Sequence, residues 1–371
     1  MPASFPSSLS ALPLRALEGV RVLDFSHVIA GPFATFHLAQ MGAEVLKIEK
    51  PGGGDVMRRS ASGARAFTAL NAGKHSREID ISTEAGRAEV LEIAAGCDVM
   101  VDNYRPGVLE RHGLGFEAVR ALNPRIVYCA ISGYGYSDPA RVGQGAYDHV
   151  VQALTGMTML AGNEGDPPVK TGYPVIDAAT GLVGALAIVS ALRQRELPGG
   201  SGCFLDISMW GSALQLMYPF ACETLATDKE IARVGNKGYS GSPAADTFPC
   251  TDGWIALGAN KLEHIARLLQ VLEIAPQQVE PFLERATEGA ATFARARDPA
   301  GFRALLAERI APRSAAALEA ALHAAGVPAA RVRTLREFTH EAVETGLLQP
   351  VVLGEGEARA TTPGLGWRML G

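Results

Sequence analysis

The sequence predicts an α/β protein: a Rossmann-like large domain on an open parallel sheet, plus a smaller α+β domain. Three observations predict it. From Gly19 to Ile131, short β-branched runs alternate with helix-length stretches, the pattern of repeated βαβ units. At 371 residues the chain exceeds the roughly 150 of one typical domain. Beyond about Cys222 the texture changes to a glycine-rich loop, a hairpin signal and a series of helices.

The first run, Gly19-Val-Arg-Val-Leu-Asp-Phe25, alternates like a strand. Ser26-His-Val-Ile-Ala-Gly-Pro32 turns the chain, and Pro32 suits the first position of a helix reaching Gln40. Glu44–Glu49 is the second strand, parallel to the first because one helix connects them. The turn lacks GxGxxG, which counts against a nicotinamide-dependent enzyme. Lys50-Pro-Gly-Gly-Gly-Asp55 is a loop, with Asp55 a turn or cap residue and Arg58 and Arg59 close behind. Asn71 to Lys74 lead into a third strand, Ser76–Ile81, and Thr83 caps a helix that stops at Gly96. Residues 98–101 form the fourth strand and run into Asn103-Tyr-Arg-Pro106; Arg125–Ile131 is the fifth. In such a sheet ligands gather beyond the carboxyl ends of the strands. Those ends fall at Ser26–Ala30, Lys50–Asp55, Asn103–Arg105 and Ser132–Tyr136.

Further on, Pro198-Gly-Gly-Ser-Gly202 turns into a strand at Cys203–Ile207. Gly235-Asn-Lys-Gly-Tyr-Ser-Gly-Ser-Pro243 is glycine-rich, Thr251-Asp-Gly253 signals a hairpin, and Ser314–Ala325 is an Ala-rich helix. Gly326-Val-Pro-Ala-Ala-Arg-Val332 reads as a strand returning to the large domain. The expected organisation is 1–221 for the first part of the large domain, 222–325 for the small domain and 326–371 for the return segment.

Bulk properties narrow the function classes. A net charge of −5 with no dominant basic face argues against a nucleic-acid binder. Cys97, Cys129, Cys203, Cys222 and Cys250 form no CxxC pair, the pattern of reduced thiols in a cytoplasmic protein rather than a disulfide framework or zinc site. No metal-ligand spacing occurs, so no metal is expected. The opening Met-Pro-Ala-Ser-Phe-Pro-Ser-Ser-Leu-Ser lacks a basic n-region and a continuous apolar core, so it reads as a loose tail. Leu182-Val-Gly-Ala-Leu-Ala-Ile-Val-Ser-Ala-Leu192 is charge-free but short and Gly/Ala-rich; it reads as a buried core helix, and no membrane association is expected.

Asp177 stands at the mouth of that helix, within Gly172-Tyr-Pro-Val-Ile-Asp-Ala-Ala-Thr-Gly181. By residue type alone it is either a helix cap or a carboxylate placed to attack a substrate.

Taken together, the chain resembles the class III CoA-transferases, a family that also contains α-methylacyl-CoA racemases. The pieces carrying the resemblance are Leu17-Glu-Gly-Val-Arg-Val-Leu-Asp-Phe25, Gly31-Pro32, Met41-Gly-Ala-Glu-Val-Leu-Lys-Ile-Glu49 and Asp98-Val-Met-Val-Asp-Asn-Tyr-Arg-Pro-Gly107. Ser132-Gly-Tyr-Gly135, Tyr147-Asp148 with Gln152-Ala153, Asp177 with Gly181, and Gly326-Val-Pro328 continue the series in order. The resemblance implies that Asp177 is the nucleophile. It implies CoA contacts at His27, Val28 and Ala30, and at Lys50, Lys74, Asn103, Tyr104, Arg111 and Tyr147. Lys50, Lys74 and Arg111 suit the phosphates of CoA by charge. Gly238 and Gly241 fall where the family carries a loop covering the substrate.

The implied function is transfer of CoA from an acyl-CoA donor to a small carboxylic acid through an aspartyl-CoA intermediate, with CoA as substrate and no tightly bound cofactor. A carboxylate with a reference pKa of about 3.9 is ionised at neutral pH without a partner base. Ala178 and Ala179, at the helix start, are expected to offer N–H groups to developing oxyanions. Two departures from the family pattern stand out. Tyr147 replaces the histidine base of racemase members, which disfavours the racemase alternative, and Ile29 replaces a glutamine of some formyl-CoA transferases. The resemblance also implies an interlocked homodimer.

Overall fold

The computed structural model describes residues 14–61, 63–284, 294–354, 359–367 and 369. The tail read at Met1 to Ser10 lies outside the described residues. The chain divides into two compact units. The larger comprises Met1–Ala161, Pro168–Ile231 and Leu348–Gly371; the smaller comprises Gly162–Pro167 and Ala232–Leu347.

The larger unit follows the alternation read in the sequence. It begins with β1 (Arg21–Asp24), α1 (Ala30–Gln40), β2 (Glu44–Glu49), α2 (Ala64–Leu70), β3 (His75–Glu78) and α3 (Glu84–Ala95). It continues with β4 (Val99–Asp102), α4 (Val108–Arg111), α5 (Phe116–Leu122), β5 (Val127–Ser132) and α6 (Asp148–Leu154). Then come α7 (Val175–Arg195), β6 (Cys203–Ser208), α8 (Met209–Leu216) and α9 (Tyr218–Thr227). Six strands form one sheet in the order β3-β2-β1-β4-β5-β6, and every neighbouring pair is parallel. Alternate side chains of each strand enter opposite cores. Val22, Val99, Val101 and Val127 pack with Ala34 and Leu38 of α1 and Ile188 and Leu192 of α7. Leu23, Met100 and Tyr128 pack on the other face with Val90 of α3 and Val119 of α5. Burial on both faces explains why these strands read as nearly continuous apolar runs. The expected cap is present: Thr83 Oγ1 accepts the Gly86 N–H at 3.0 Å.

Helix α7 extends beyond the eleven-residue run read in the sequence. Its 21 residues are long and apolar enough, by length and composition, to cross a membrane. Ala185, Ile188, Ala191 and Leu192 nonetheless pack in the core. Its closeness to α1 depends on Gly181, where a Cβ would stand 2.8 Å from the Ala30 carbonyl oxygen and 2.9 Å from Phe33 Cβ. A side chain there would push apart the two helix starts that frame the cleft described below.

The smaller unit holds β7 (Thr247–Cys250), β8 (Gly253–Leu257), α10 (Leu262–Val271), α11 (Pro276–Val279) and α12 (Pro299–Ile310). It is completed by α13 (Ala315–Ala324), β9 (Ala329–Arg331) and α14 (Leu335–Glu344). The hairpin at Thr251–Gly253 is present, with Cys250 paired to Gly253. The strand after Gly326 is also present, but its partner differs from the one expected. β9 pairs antiparallel with β8, Ile255 opposite Arg331, so it completes the small sheet rather than returning to the large one. Val327 is buried in the small core with Leu257 and Leu322, which fixes that choice. The return comes later, after Leu347, where β10 (Val351–Leu353) and β11 (Ala360–Thr362) pair antiparallel in the larger unit. The organisation is therefore not 222–325 and 326–371: the small unit takes Gly162–Pro167 as well and extends to Leu347.

Candidate active site

Strand order reverses between β1 and β4, and in open parallel sheets the crevice beyond that switch point binds ligands. A cleft of about 380 Å³ opens there. Its walls are the turn after β1 (His27 to Ala30), Asn103 to Pro106 after β4, and Ser132 to Tyr134 after β5. Ala146 and Tyr147 close one side, and Asp177 of α7 lines it as well.

Asp177 lies in the first turn of α7, with Pro174 at the cap position, so it is not the cap itself. A second carboxylate does that work. Asp148 Oδ2 accepts the N–H groups of Ile176 at 2.7 Å and Asp177 at 3.0 Å, while its Oδ1 accepts Gln152 Nε2 at 2.5 Å. Two of the donors left open at a helix start are thereby satisfied. Ala178 donates to the Pro174 carbonyl at 3.1 Å, so its N–H is spent inside the helix and is not open to an oxyanion, contrary to the sequence expectation. Burial first, and then the neighbouring Asp148 charge, push the Asp177 carboxyl up from 3.8 to about 7. The expectation of a fully ionised carboxylate at neutral pH is corrected accordingly.

The turn after β1 is held from two sides. Asn103 Oδ1 accepts the His27 N–H at 2.8 Å and its Nδ2 donates to the His27 carbonyl at 2.7 Å. Val28 adopts φ 67° and donates its N–H to Asp55 Oδ2 at 3.0 Å. Ile29 and Ala30, at the open start of α1, have N–H groups without a hydrogen-bond acceptor among the described residues. The rings of His27 and Tyr104 lie 5.1 Å apart, and burial lowers the His27 pKa, keeping the imidazole neutral. Tyr147 stands at the N-cap of α6 and is exposed.

Six of the CoA contacts implied by the resemblance therefore line one cleft with Asp177: His27, Val28, Ala30, Asn103, Tyr104 and Tyr147. Lys50 and Arg111 are exposed and stand outside its lining. Lys74 is corrected outright. Its side chain is buried, and Nζ bonds Thr35 Oγ1 at 2.7 Å, Asn71 Oδ1 at 2.9 Å, the Pro32 carbonyl at 3.0 Å and Asp24 Oδ2 at 3.1 Å. An ammonium has three hydrogens, and here protein oxygens take them all. Gly238 and Gly241 belong to the smaller unit, where Gly238 donates to the Ala245 carbonyl at 2.7 Å and Gly241 adopts φ 67°. Arg105, Gly145 and Met209 also line the cleft but were not among the expected contacts. Arg105 was legible as a strand-end residue; the other two carry no local signal. Among the described residues, no group of three or more His, Cys, Asp or Glu side chains could hold a metal ion.

Residues 17–369 match CoA-transferase family III. The chain belongs to that family. Mouse succinyl-CoA:glutarate CoA-transferase is 37% identical over 266 residues, covering 70% of this chain and 60% of the mouse protein. Succinyl-CoA–D-citramalate CoA-transferase of Chloroflexus aurantiacus is 33% identical over 335 residues, 89% of this chain and 81% of the relative. Among crystal structures, a CAIB/BAIF family protein from Brucella suis has a TM-score of 0.79 at 28% identity, covering 92% of this chain and 89% of that one. A hypothetical protein of Mycobacterium tuberculosis has the same TM-score and identity over 92% of this chain and 90% of that one.

Proposed function

We propose that this family III member transfers CoA from an acyl-CoA to a small carboxylic acid, with Asp177 as the covalent carrier. The observation that supports this most is an Asp177 carboxyl lining the switch-point cleft without an ion-pair partner among the described residues. A carboxylate oxygen of Asp177 attacks the thioester carbonyl; the C–S bond breaks and CoA leaves as thiolate. The thiolate attacks the aspartyl carbonyl of the resulting mixed anhydride, releasing the donor acid and leaving an aspartyl-CoA thioester. An acceptor carboxylate attacks that carbonyl, CoA thiolate leaves, and the thiolate then attacks the acceptor acyl carbon. The products are a new acyl-CoA and free Asp177, with no net change in protons or electrons. The N–H groups of Ile29 and Ala30, without an acceptor among the described residues, are candidate donors for the oxyanions.

Several relatives are named for succinyl-CoA as donor and for glutarate, mesaconate or D-citramalate as acceptor. These names support dicarboxylic acids as the acceptor class. Lys50 and Arg111 hold the CoA phosphates in this reading, by charge alone. Tyr147, a weak base at neutral pH, disfavours the racemase alternative. The test mixes the protein with succinyl-CoA and seeks a CoA adduct on the peptide carrying Asp177 by mass spectrometry. Adduct formation with exchange into glutarate is expected. Transfer without any adduct would replace the aspartyl intermediate with direct transfer.

Because the attacking form is the carboxylate, kcat/KM rises with pH through a limb near the Asp177 value of about 7. Asp148→Asn removes one cause of that raised value, so its limb moves to lower pH. An unmoved limb in a folded variant would remove Asp148 from the electrostatics of the site.

The same reading includes an interlocked homodimer in a cytoplasmic setting, the latter in keeping with five free cysteines. The chain leaves the larger unit at Gly162–Pro167 and again at Ala232–Leu347. Leu182 and Leu186 of α7 and Tyr218 and Leu225 of α9 are exposed, and α9 buries no residue, which supports cover by a second copy. A species of twice 39.0 kDa that persists on dilution to nanomolar concentration is expected. Folded monomers at micromolar concentration would refute the interlock.

A further inference from the structure

The cleft's first wall is a strained turn, and its restraint is a buried carboxylate. Val28 is β-branched yet adopts φ 67°, a left-handed conformation that such residues rarely enter. Conformations of this kind are strained and persist only where the surroundings over-determine them. Among the described residues the restraint on Val28 is Asp55 Oδ2, which accepts its N–H at 3.0 Å.

Asp55 is itself fixed. Its side chain is buried, its Oδ1 accepts the Met57 N–H at 3.0 Å, and its own N–H donates to Glu49 Oε2 at 3.0 Å. Glu49 is held in turn by Arg58, Nε to Oε2 at 2.8 Å and Nη2 to Oε1 at 2.6 Å. Lys47 Nζ stands 3.8 Å from Asp55 Oδ2 and donates to the Ser26 carbonyl, one residue before the turn. A chain of charge-assisted bonds thus runs from the end of β2 to the residue whose conformation sets where Ile29 and Ala30 lie.

We propose that Asp55 is a positioning residue for CoA transfer: it holds Val28 in the left-handed conformation and so fixes the His27–Ala30 wall against which the thioester is presented. The proposal rests on the transferase reading above, but its central claim is conformational. Glycine enters positive φ without steric cost. If Asp55 acts by holding Val28, a glycine at position 28 makes it less necessary.

The experiment measures kcat and KM for succinyl-CoA, and CoA affinity by calorimetry, in four proteins: wild type, Val28→Gly, Asp55→Ala and the double variant. Circular dichroism and thermal melting accompany each. Asp55→Ala is expected to lose at least tenfold in kcat/KM. Val28→Gly alters a cleft residue, so its own activity is the baseline for the double variant, in which the further loss from Asp55→Ala should fall to threefold or less. A purely structural role for Asp55, such as neutralising Lys47, gives no such rescue, and its absence overturns the proposal. So does an Asp55→Ala protein as active as wild type. If Asp55→Ala does not fold, Asp55→Asn takes its place: its one amide oxygen cannot serve both Val28 and Met57, so a smaller loss with the same rescue is expected. Without transfer activity in the wild type the transferase reading fails, while rescue of CoA affinity still decides the role of Asp55.

Discussion

Asp177→Asn should abolish CoA transfer, by roughly 10³-fold or more, and at the same time stabilise the protein. The two effects have one cause. The carboxyl that must lose its proton to attack is held where burial and Asp148 favour its protonated form, up from 3.8 to about 7. Between those values the folded state binds more protons than the unfolded chain, so stability falls as pH rises through that window. By pH 8 the whole burden is present. A displacement of about three units corresponds to at most ~4 kcal/mol, and partial solvent contact reduces it to about 1–3 kcal/mol. Asparagine carries no such burden and leaves the bond from the backbone N–H at 177 to Asp148 in place. Thermal unfolding at pH 8 should therefore show the variant above wild type, with the difference closing by pH 4. A variant that keeps more than a few per cent of activity would sink the nucleophile assignment. One that is inactive but no more stable at pH 8 would mean that Asp177 titrates normally.

The larger unit was legible because its evidence is periodic. Alternating β-branched runs mark the strands of the parallel sheet, and the rule that ligands lie beyond their carboxyl ends points to three walls of the cleft. What failed was information that arises only when distant segments meet. Lys74 looked like a free cation, and nothing local says that Asp24, Pro32, Thr35 and Asn71 will surround it. Asp177 looked like an ordinary carboxylate because Asp148 lies 29 residues upstream. The segment after Gly326 carries the pattern of a strand, but its pairing with β8 depends on the small core, which propensity does not encode. The left-handed Val28 was invisible for the opposite reason, since its residue type argues against that conformation.

Lys74→Met should unfold the protein more readily rather than weaken its hold on CoA. Removing one partner of a buried ion pair typically costs about 3–5 kcal/mol, because the other charge is left without compensation. Here the stranded group is Asp24, at the carboxyl end of β1. Burial alone would raise its pKa, but Lys74, Lys47 and the hydroxyls of Ser26 and Thr35 outweigh burial and hold it down to about 2. Lys47 and the hydroxyls remain in the variant, which places the expected loss near the lower end, about 3 kcal/mol. The sign with pH follows from the depressed value. Asp24 contributes stability that is present above its unfolded value of 3.8 and lost as pH falls through about 2. The variant should lose part of that acid dependence. Urea unfolding at pH 7 measures the loss, and calorimetry on the folded protein should find CoA affinity within about threefold of wild type. Adding Asp24→Asn should cost less than the sum of the two single changes, since the pair fails together. Normal stability with CoA affinity reduced tenfold or more would return Lys74 to the phosphates of CoA and contradict its place beneath the turn.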